Sequence, residues 1–101
     1  MQILPEIIQF VWDKGNVEKS KKSHNVEWWE CEEVFLNFPL YLSPDIKHSE
    51  QEERFFAFGH SHADRLLTIV FTVRKKNIRV ISARDMNKRE RKMYYEKDSE
   101  I

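Results

Sequence analysis

The spacing of apolar residues changes character midway along the chain. Up to about residue 36 they recur at helical intervals, and beyond about residue 53 they gather in runs of strand length. Residues 9–13 read as a short strand or extended lead-in. Asp13 then suits the N-cap of a polar helix reaching about Ser23, with Val17 its main apolar residue. Asn25 is a natural stop because Asn tolerates the left-handed conformation. A second helix is expected over 27–36, where Trp28, Cys31 and Phe35 form one stripe. Residues 39–52 read as an irregular loop with a turn at Ser43-Pro44-Asp45. Strands are expected over 53–61, 65–74 and 78–83. They are joined by turns at His62-Ala63-Asp64 and Lys75-Lys76-Asn77, with Asn77 taking the positive φ. The run 65–74 is apolar on both faces, as in a central strand covered on both sides. Asn87, with Glu90 three residues on, caps a basic helix to about Lys97. The expected class is α+β: an antiparallel meander with helices packed on one side, two preceding the strands and one following.

At 101 residues the chain has room for one domain, taken as 1–101. Hydrophobic residues at 41% are enough for one core, and 34% charged residues imply a very polar surface. Cys31 is the single cysteine, which leaves no internal disulfide and favours a reducing compartment. The first ten residues, interrupted by Pro5 and Glu6, read as neither signal peptide nor membrane span, and the expected location is the cytoplasm. The net charge of zero conceals a division. Residues 1–53 carry five Lys/Arg against eleven Asp/Glu, and residues 54–101 carry twelve against six. Two readings of this division stay open: one face for a polyanion and another for a basic partner, or mutual neutralisation across the fold.

Five separated pieces carry a family resemblance. They are Phe10-Val11-Trp12-Asp13; His24-Asn25-Val26 followed by Glu30 and Glu33-Val34-Phe35; and Asp45-Ile46-Lys47-His48-Ser49-Glu50 with Glu53-Arg54-Phe55. Then come Gly59, Arg65-Leu66-Leu67 and Val70-Phe71-Thr72. Last is Ile78-Arg79-Val80-Ile81-Ser82-Ala83-Arg84, leading to Lys88, Glu90-Arg91 and Tyr94. In this order the chain resembles the BrnT toxins of type II toxin–antitoxin systems, from about Phe10 to Lys97. Where family members usually have lysine and then asparagine on the first helix, this chain has Asn16 and Ser20. Ser23 stands where a lysine often precedes the histidine, with Lys21 and Lys22 close by. The resemblance implies a RelE-like fold and an endoribonuclease that halts translation. It also implies a BrnA-like, ribbon-helix-helix antitoxin that holds the toxin inactive in a hetero-oligomer and alone contacts DNA. No membrane, cofactor or metal is expected.

RNA carries its own nucleophile, the 2′-hydroxyl. A protein can therefore cut it with a proton acceptor, a proton donor and cations around the phosphorane. Between Val73 and Lys92 there are nine Lys/Arg against Asp85 and Glu90. His48, in a polar loop ahead of a strand, is the candidate for proton transfer. Arg54, Arg65, Arg79 and Arg84, near strand ends, are the candidate phosphate ligands. Lys22, Arg74, Lys88 and Arg89 are the candidate RNA-binding cations. Alternation along a strand sets Arg79 and Arg84 on opposite faces unless the strand ends or bulges near Ser82. His24 reads as complementing a helix C-terminus, with a role in the site as the alternative. Trp12, Trp28, Trp29, Tyr94 and Tyr95 are core, partner surface or base platforms. His60 and His62 have metal-like spacing but lack a third ligand. Phosphate-binding glycine loops, Cys-x-x-Cys and serine-hydrolase motifs do not occur. A catalytically silent co-repressor on the same fold is the alternative to a nuclease.

Overall fold

In a computed structural model, residues 9–48 and 50–99 are described, the side chains of residues 98 and 99 excepted. The reading of residues 1–8, and Ser49 of the third piece, lie outside this set. The elements follow in the order β1 (Gln9–Phe10), α1 (Lys14–His24), α2 (Trp28–Leu36), β2 (Tyr41–Pro44), a 3-10 turn (Ile46–His48), β3 (Phe55–His60), β4 (Leu66–Arg74), β5 (Asn77–Asp85) and α3 (Lys88–Ser99). One sheet in the order β1-β5-β4-β3-β2 holds all five strands, with β4 central as its apolar pattern requires.

Two features depart from the expected meander. β1 pairs in parallel with β5, so the sheet is mixed. β2 forms inside the stretch read as a loop, antiparallel to β3 from Tyr41↔Phe58 to Pro44↔Phe55. Only four residues long and ending at a proline, β2 has too short a period to register as a strand. Its partner supplies the hydrogen bonds that define it.

The inner face of the sheet carries Phe55, Ala57, Leu67, Ile69, Phe71, Ile78, Val80 and Ala83. These pack with Val26, Cys31 and Val34 into the main core. On α2 the buried positions are Cys31 and Val34, whereas Trp28, expected on the stripe, stays 42% exposed and tilts against Trp12. A Cβ on Gly59 would sit 2.8 Å from Val34 Cγ1, so the missing side chain is what lets α2 approach β3. α3 packs on the opposite face through Met86, Tyr94 and Phe58, and covers only part of it. The helices are thus divided between the two faces, not gathered on one.

α1 attaches mainly through polar groups. Asn16 and Ser20 are buried, one turn apart, and hydrogen-bond the outer edge of β5. Asn16 Nδ2 donates to the carbonyls of Val80 (3.3 Å) and Val11 (3.1 Å), and Ser20 Oγ accepts from Ala83 N–H (2.9 Å). They take over edge groups that the two-residue β1 leaves unpaired. Asp13 caps α1 in a reciprocal box with Asn16, and Asn25 ends it in the left-handed region at φ 55°. Asn87 and Glu90 form the corresponding box on α3. In the β4–β5 hairpin Lys75 and Lys76, not Asn77, take positive φ (50° and 67°). Asn77 pairs with Arg74 and so belongs to the strand.

Candidate functional site

The β4–β5 register shifts between Val70 and Phe71: Val70 faces Ser82 but Phe71 faces Val80, which leaves Ile81 as an extra residue. This is the bulge on which convergence of Arg79 and Arg84 depended. Arg79 pairs with Thr72 and Arg84 with Thr68, both on the outer face. The two arginines therefore mark the ends of one strip with Ser82 and Val70 between them. Four strand steps, about 14 Å, separate them.

At the hairpin end of the strip lies a groove of about 620 Å3 lined by Lys47, His48, Glu50, Gln51, Glu52, Arg54 and Arg74. Arg54 enters it from the start of β3, where its carbonyl accepts from Asp45 N–H at 2.8 Å. Arg74, at the end of β4, grips Glu52 with two bonds of 2.6 and 2.9 Å. That fork holds the Glu52 carboxyl below the usual carboxylate range, with Arg54 and Arg79 adding to the effect through their charge. Arg74 alone bonds the Glu52 carboxylate; Arg54 shares the groove with it, and Arg79 acts on it only through its charge. Arg79 also donates to Asp13 Oδ2 at 2.7 Å across the edge of the sheet, which lowers the Asp13 pKa.

His48 stands at the mouth of the groove. Its Nδ1 lies 3.1 and 3.2 Å from the two oxygens of Asp45. Asp45 is only 6% exposed, while the His48 side chain is 57% exposed. A proton on Nδ1 shared with the carboxylate leaves Nε2 with the lone pair, directed away from Asp45. Sequence reasoning gave no role in the site to Asp45, seen there as a turn residue and as part of the third family piece, or to Glu52. The Asp-x-x-His spacing across a one-turn 3-10 segment was the available signal for Asp45.

Arg84 takes a different partner. It forks onto Glu90 at 2.7 and 3.0 Å, at the N-terminal turn of α3 beside the exposed Lys88 and Arg89. Burial works against ionisation of Glu90, but Arg84, the Asn87 N–H and the Thr68 hydroxyl outweigh it and lower its pKa. Arg65 is on the inner face, away from the groove. It joins Asp85 (2.8 and 3.1 Å), Glu30 (3.1 Å) and the carbonyls of His24 and Asn25, tying both N-terminal helices to the end of β5. Lys22 is on α1, 3.6 Å from Glu18, and is likewise remote from the groove.

The other candidates separate by location. His24 is the last residue of α1, where a cation complements the helix dipole. Trp12 donates to Glu32 at 2.7 Å and packs with Phe10 and Trp28 on the helix side. His60 Nδ1 meets the Tyr94 hydroxyl at 3.0 Å, and His62 Nδ1 meets the Asn37 amide nitrogen at 3.0 Å. Among the described residues, no group of three His, Cys, Asp or Glu is placed to hold a metal, and no helix is long and apolar enough to cross a membrane.

The sequence model of one family, described as the ribonuclease toxin BrnT of type II toxin–antitoxin systems, matches residues 12–90, most of the chain. The chain belongs to the BrnT family. The fold agrees: the crystal structure of the Brucella abortus ribonuclease toxin BrnT superposes with a TM-score of 0.60 at 17% identity, over 80% of this chain and 99% of that one. No curated protein sequence matches the chain. The family match spans both the Asp45–His48 dyad and the outer strip from Arg79 to Arg84, and it ends at Glu90, the partner of Arg84.

Proposed function

We propose that this BrnT chain is a metal-independent endoribonuclease whose reaction takes place in the groove beside His48. The observation that carries the reading is the buried Asp45 carboxylate, which orients an exposed imidazole at the edge of an arginine-lined groove. RNA supplies its own 2′-hydroxyl. His48 Nε2 takes the hydroxyl proton as the 2′-oxygen attacks phosphorus. Arg54, Arg74 and Arg79 donate to the non-bridging oxygens of the phosphorane. The bond to the 5′-oxygen then breaks, that oxygen takes a proton from water, and a 2′,3′-cyclic phosphate remains. Asp45 is a positioning residue that keeps Nε2 as the acceptor. Glu52 occupies the Arg74 guanidinium until a phosphate replaces it. Arg84, Lys88 and Arg89 hold the RNA backbone at the far end of the strip, while Arg65 fastens the frame. In the groove Glu52 is held by Arg74 and Asp45 by His48, which supports catalysis by cations and imidazole.

In the cell this activity arrests translation. A BrnA-like ribbon-helix-helix antitoxin inhibits it by laying carboxylates across Arg54, Arg79 and Arg84, in competition with RNA. The decisive experiment incubates purified protein with single-stranded RNA in EDTA and examines the ends. Cleavage leaving cyclic phosphate is expected. Cleavage that EDTA abolishes and a divalent metal restores, or an intact substrate together with harmless expression in cells, overturns the reading.

A further inference from the structure

A second groove, of about 610 Å3, opens over β2 and the neighbouring part of α3. Its walls include Tyr41, Ser43, Phe56, Phe58 and Met93, with Lys97 at the rim. It adjoins the His48 groove through two strands at once. Ser43 pairs with Phe56, and each is two residues from the site already described: Ser43 from Asp45 along β2, Phe56 from Arg54 along β3. Two strand steps amount to about 7 Å, and residues two apart share a face. Phe56 therefore presents its ring on the face where Arg54 presents its guanidinium.

We propose that this second groove is a nucleobase subsite, which receives the base of a nucleotide next to the scissile phosphate. The inference rests on the RNA-cleaving reading of the His48 groove and extends it to substrate selection. Three features support a base as the occupant. The half-buried Phe56 ring offers the groove an apolar face of the kind on which bases stack, backed by the buried Phe58 ring 5.8 Å away and inclined to it by 23°. Positive charge brackets the groove at both ends: Arg54 on the side of the first groove, and Lys97 5.7 Å above the Tyr41 ring on the other. A nucleotide has this pattern, an apolar ring plane flanked by two phosphates. Finally, the Ser43 hydroxyl, which both donates and accepts, can read a base edge. An apolar peptide would need neither the flanking cations nor continuity with the imidazole.

The test uses short 2′-O-methyl oligoribonucleotides, which lack the nucleophile and stay intact, with an abasic residue walked through successive positions. Affinity is read by fluorescence anisotropy for the wild type and for Phe56→Leu, which keeps apolar volume but removes the ring. For the wild type, one abasic position should weaken binding about tenfold or more, and Phe56→Leu should bind the intact and abasic oligonucleotides alike. Circular dichroism and the salt dependence of binding should match between the two proteins, because the phosphate contacts are untouched. Equal wild-type affinity at every abasic position, or discrimination that survives Phe56→Leu, overturns the subsite. So does a protein that self-associates through the free edge of β2 and loses RNA binding as it does. The nuclease reading is judged separately by cleavage of unmodified RNA in EDTA. A wild type that binds with an abasic penalty yet never cuts would leave the subsite standing and remove the chemistry.

Discussion

The Nδ1 atom of His48 lies 3.1 Å from Oδ2 of Asp45, a carboxylate that the 3-10 turn and the end of β2 bury beneath it. The pair differs from a surface ion pair in one respect: its two members have opposite exposure. Asp45 is anchored, since its backbone N–H and carbonyl also bond Arg54 and His48. The ring inherits that fixed position and still faces solvent.

Removing the imidazole should therefore separate chemistry from binding. His48→Ala should lower kcat for RNA cleavage about 10²- to 10⁴-fold with little change in the affinity for uncleavable RNA. Asp45→Asn should lower kcat more than it raises KM and displace the pH profile of cleavage. Single-turnover kinetics across pH provide the measurement. An Asp45→Asn profile that overlays the wild type would show that Asp45 does not orient the ring.

The arginines divide by face. Arg79→Ala should reduce cleavage about 10²- to 10³-fold with little loss of stability, since it removes a phosphate donor on the outer face. Arg65→Ala should destabilise by about 1–3 kcal/mol, because Glu30 and Asp85 lose their shared partner. Urea titration together with cleavage assays on fully folded protein decides the matter. An Arg65 variant of wild-type stability that is inactive would move Arg65 into the reacting site.

Acid should loosen the frame in a defined window. The Arg65 hydrogen bonds hold Asp85 below its ordinary 3.8, and Glu90 lies below its ordinary 4.5 despite partial burial. A depressed folded pKa gives stability that is complete above the unfolded value and is lost as pH falls through the folded one. The urea midpoint should stay level down to about pH 5 and decline below about 4.5, and Glu90→Gln should flatten part of the decline. A midpoint that falls between about pH 7 and 5 would assign the acid sensitivity to other groups.

Cys31 should be unreactive in the native protein. Burial, and secondarily the charges of Glu30 and Glu32, push its thiol up to about 12. Iodoacetamide at about pH 8 should label the denatured chain fully and the folded chain only at the rate of opening. Rapid stoichiometric labelling of folded protein would contradict the packing of α2 on the sheet.

The hairpin turn offers a gain in stability without altering the site. Lys75 and Lys76 both occupy the left-handed region, where a side chain is unfavourable. The double substitution Lys75→Asn with Lys76→Gly should raise stability by about 1 kcal/mol with cleavage unchanged. An unchanged or lower urea midpoint would refute the assignment of this turn.

Much was determined by residues whose effect is local. Asp13 and Asn87 cap their helices because a side-chain oxygen beside a free N–H acts over one turn of chain. Asn25 ends α1 for a similarly local reason, and the apolar run around Leu67, Ile69 and Phe71 foretold the central strand. The five family pieces pointed to a BrnT toxin because their order along the chain is itself sequence information. The tertiary structure decided what depends on distant partners. β2 exists because β3 pairs with it, and α1 docks through Asn16 and Ser20 because β5 has an edge to satisfy there. Arg65 and Arg79 look equivalent in the chain, each near a strand end. The register set by the Lys75-Lys76 turn puts them on opposite faces, and the return of Arg84 to the face of Arg79 hinges on a single extra residue at Ile81. A bulge leaves no periodic signature of its own and becomes visible only when the neighbouring strand supplies the register.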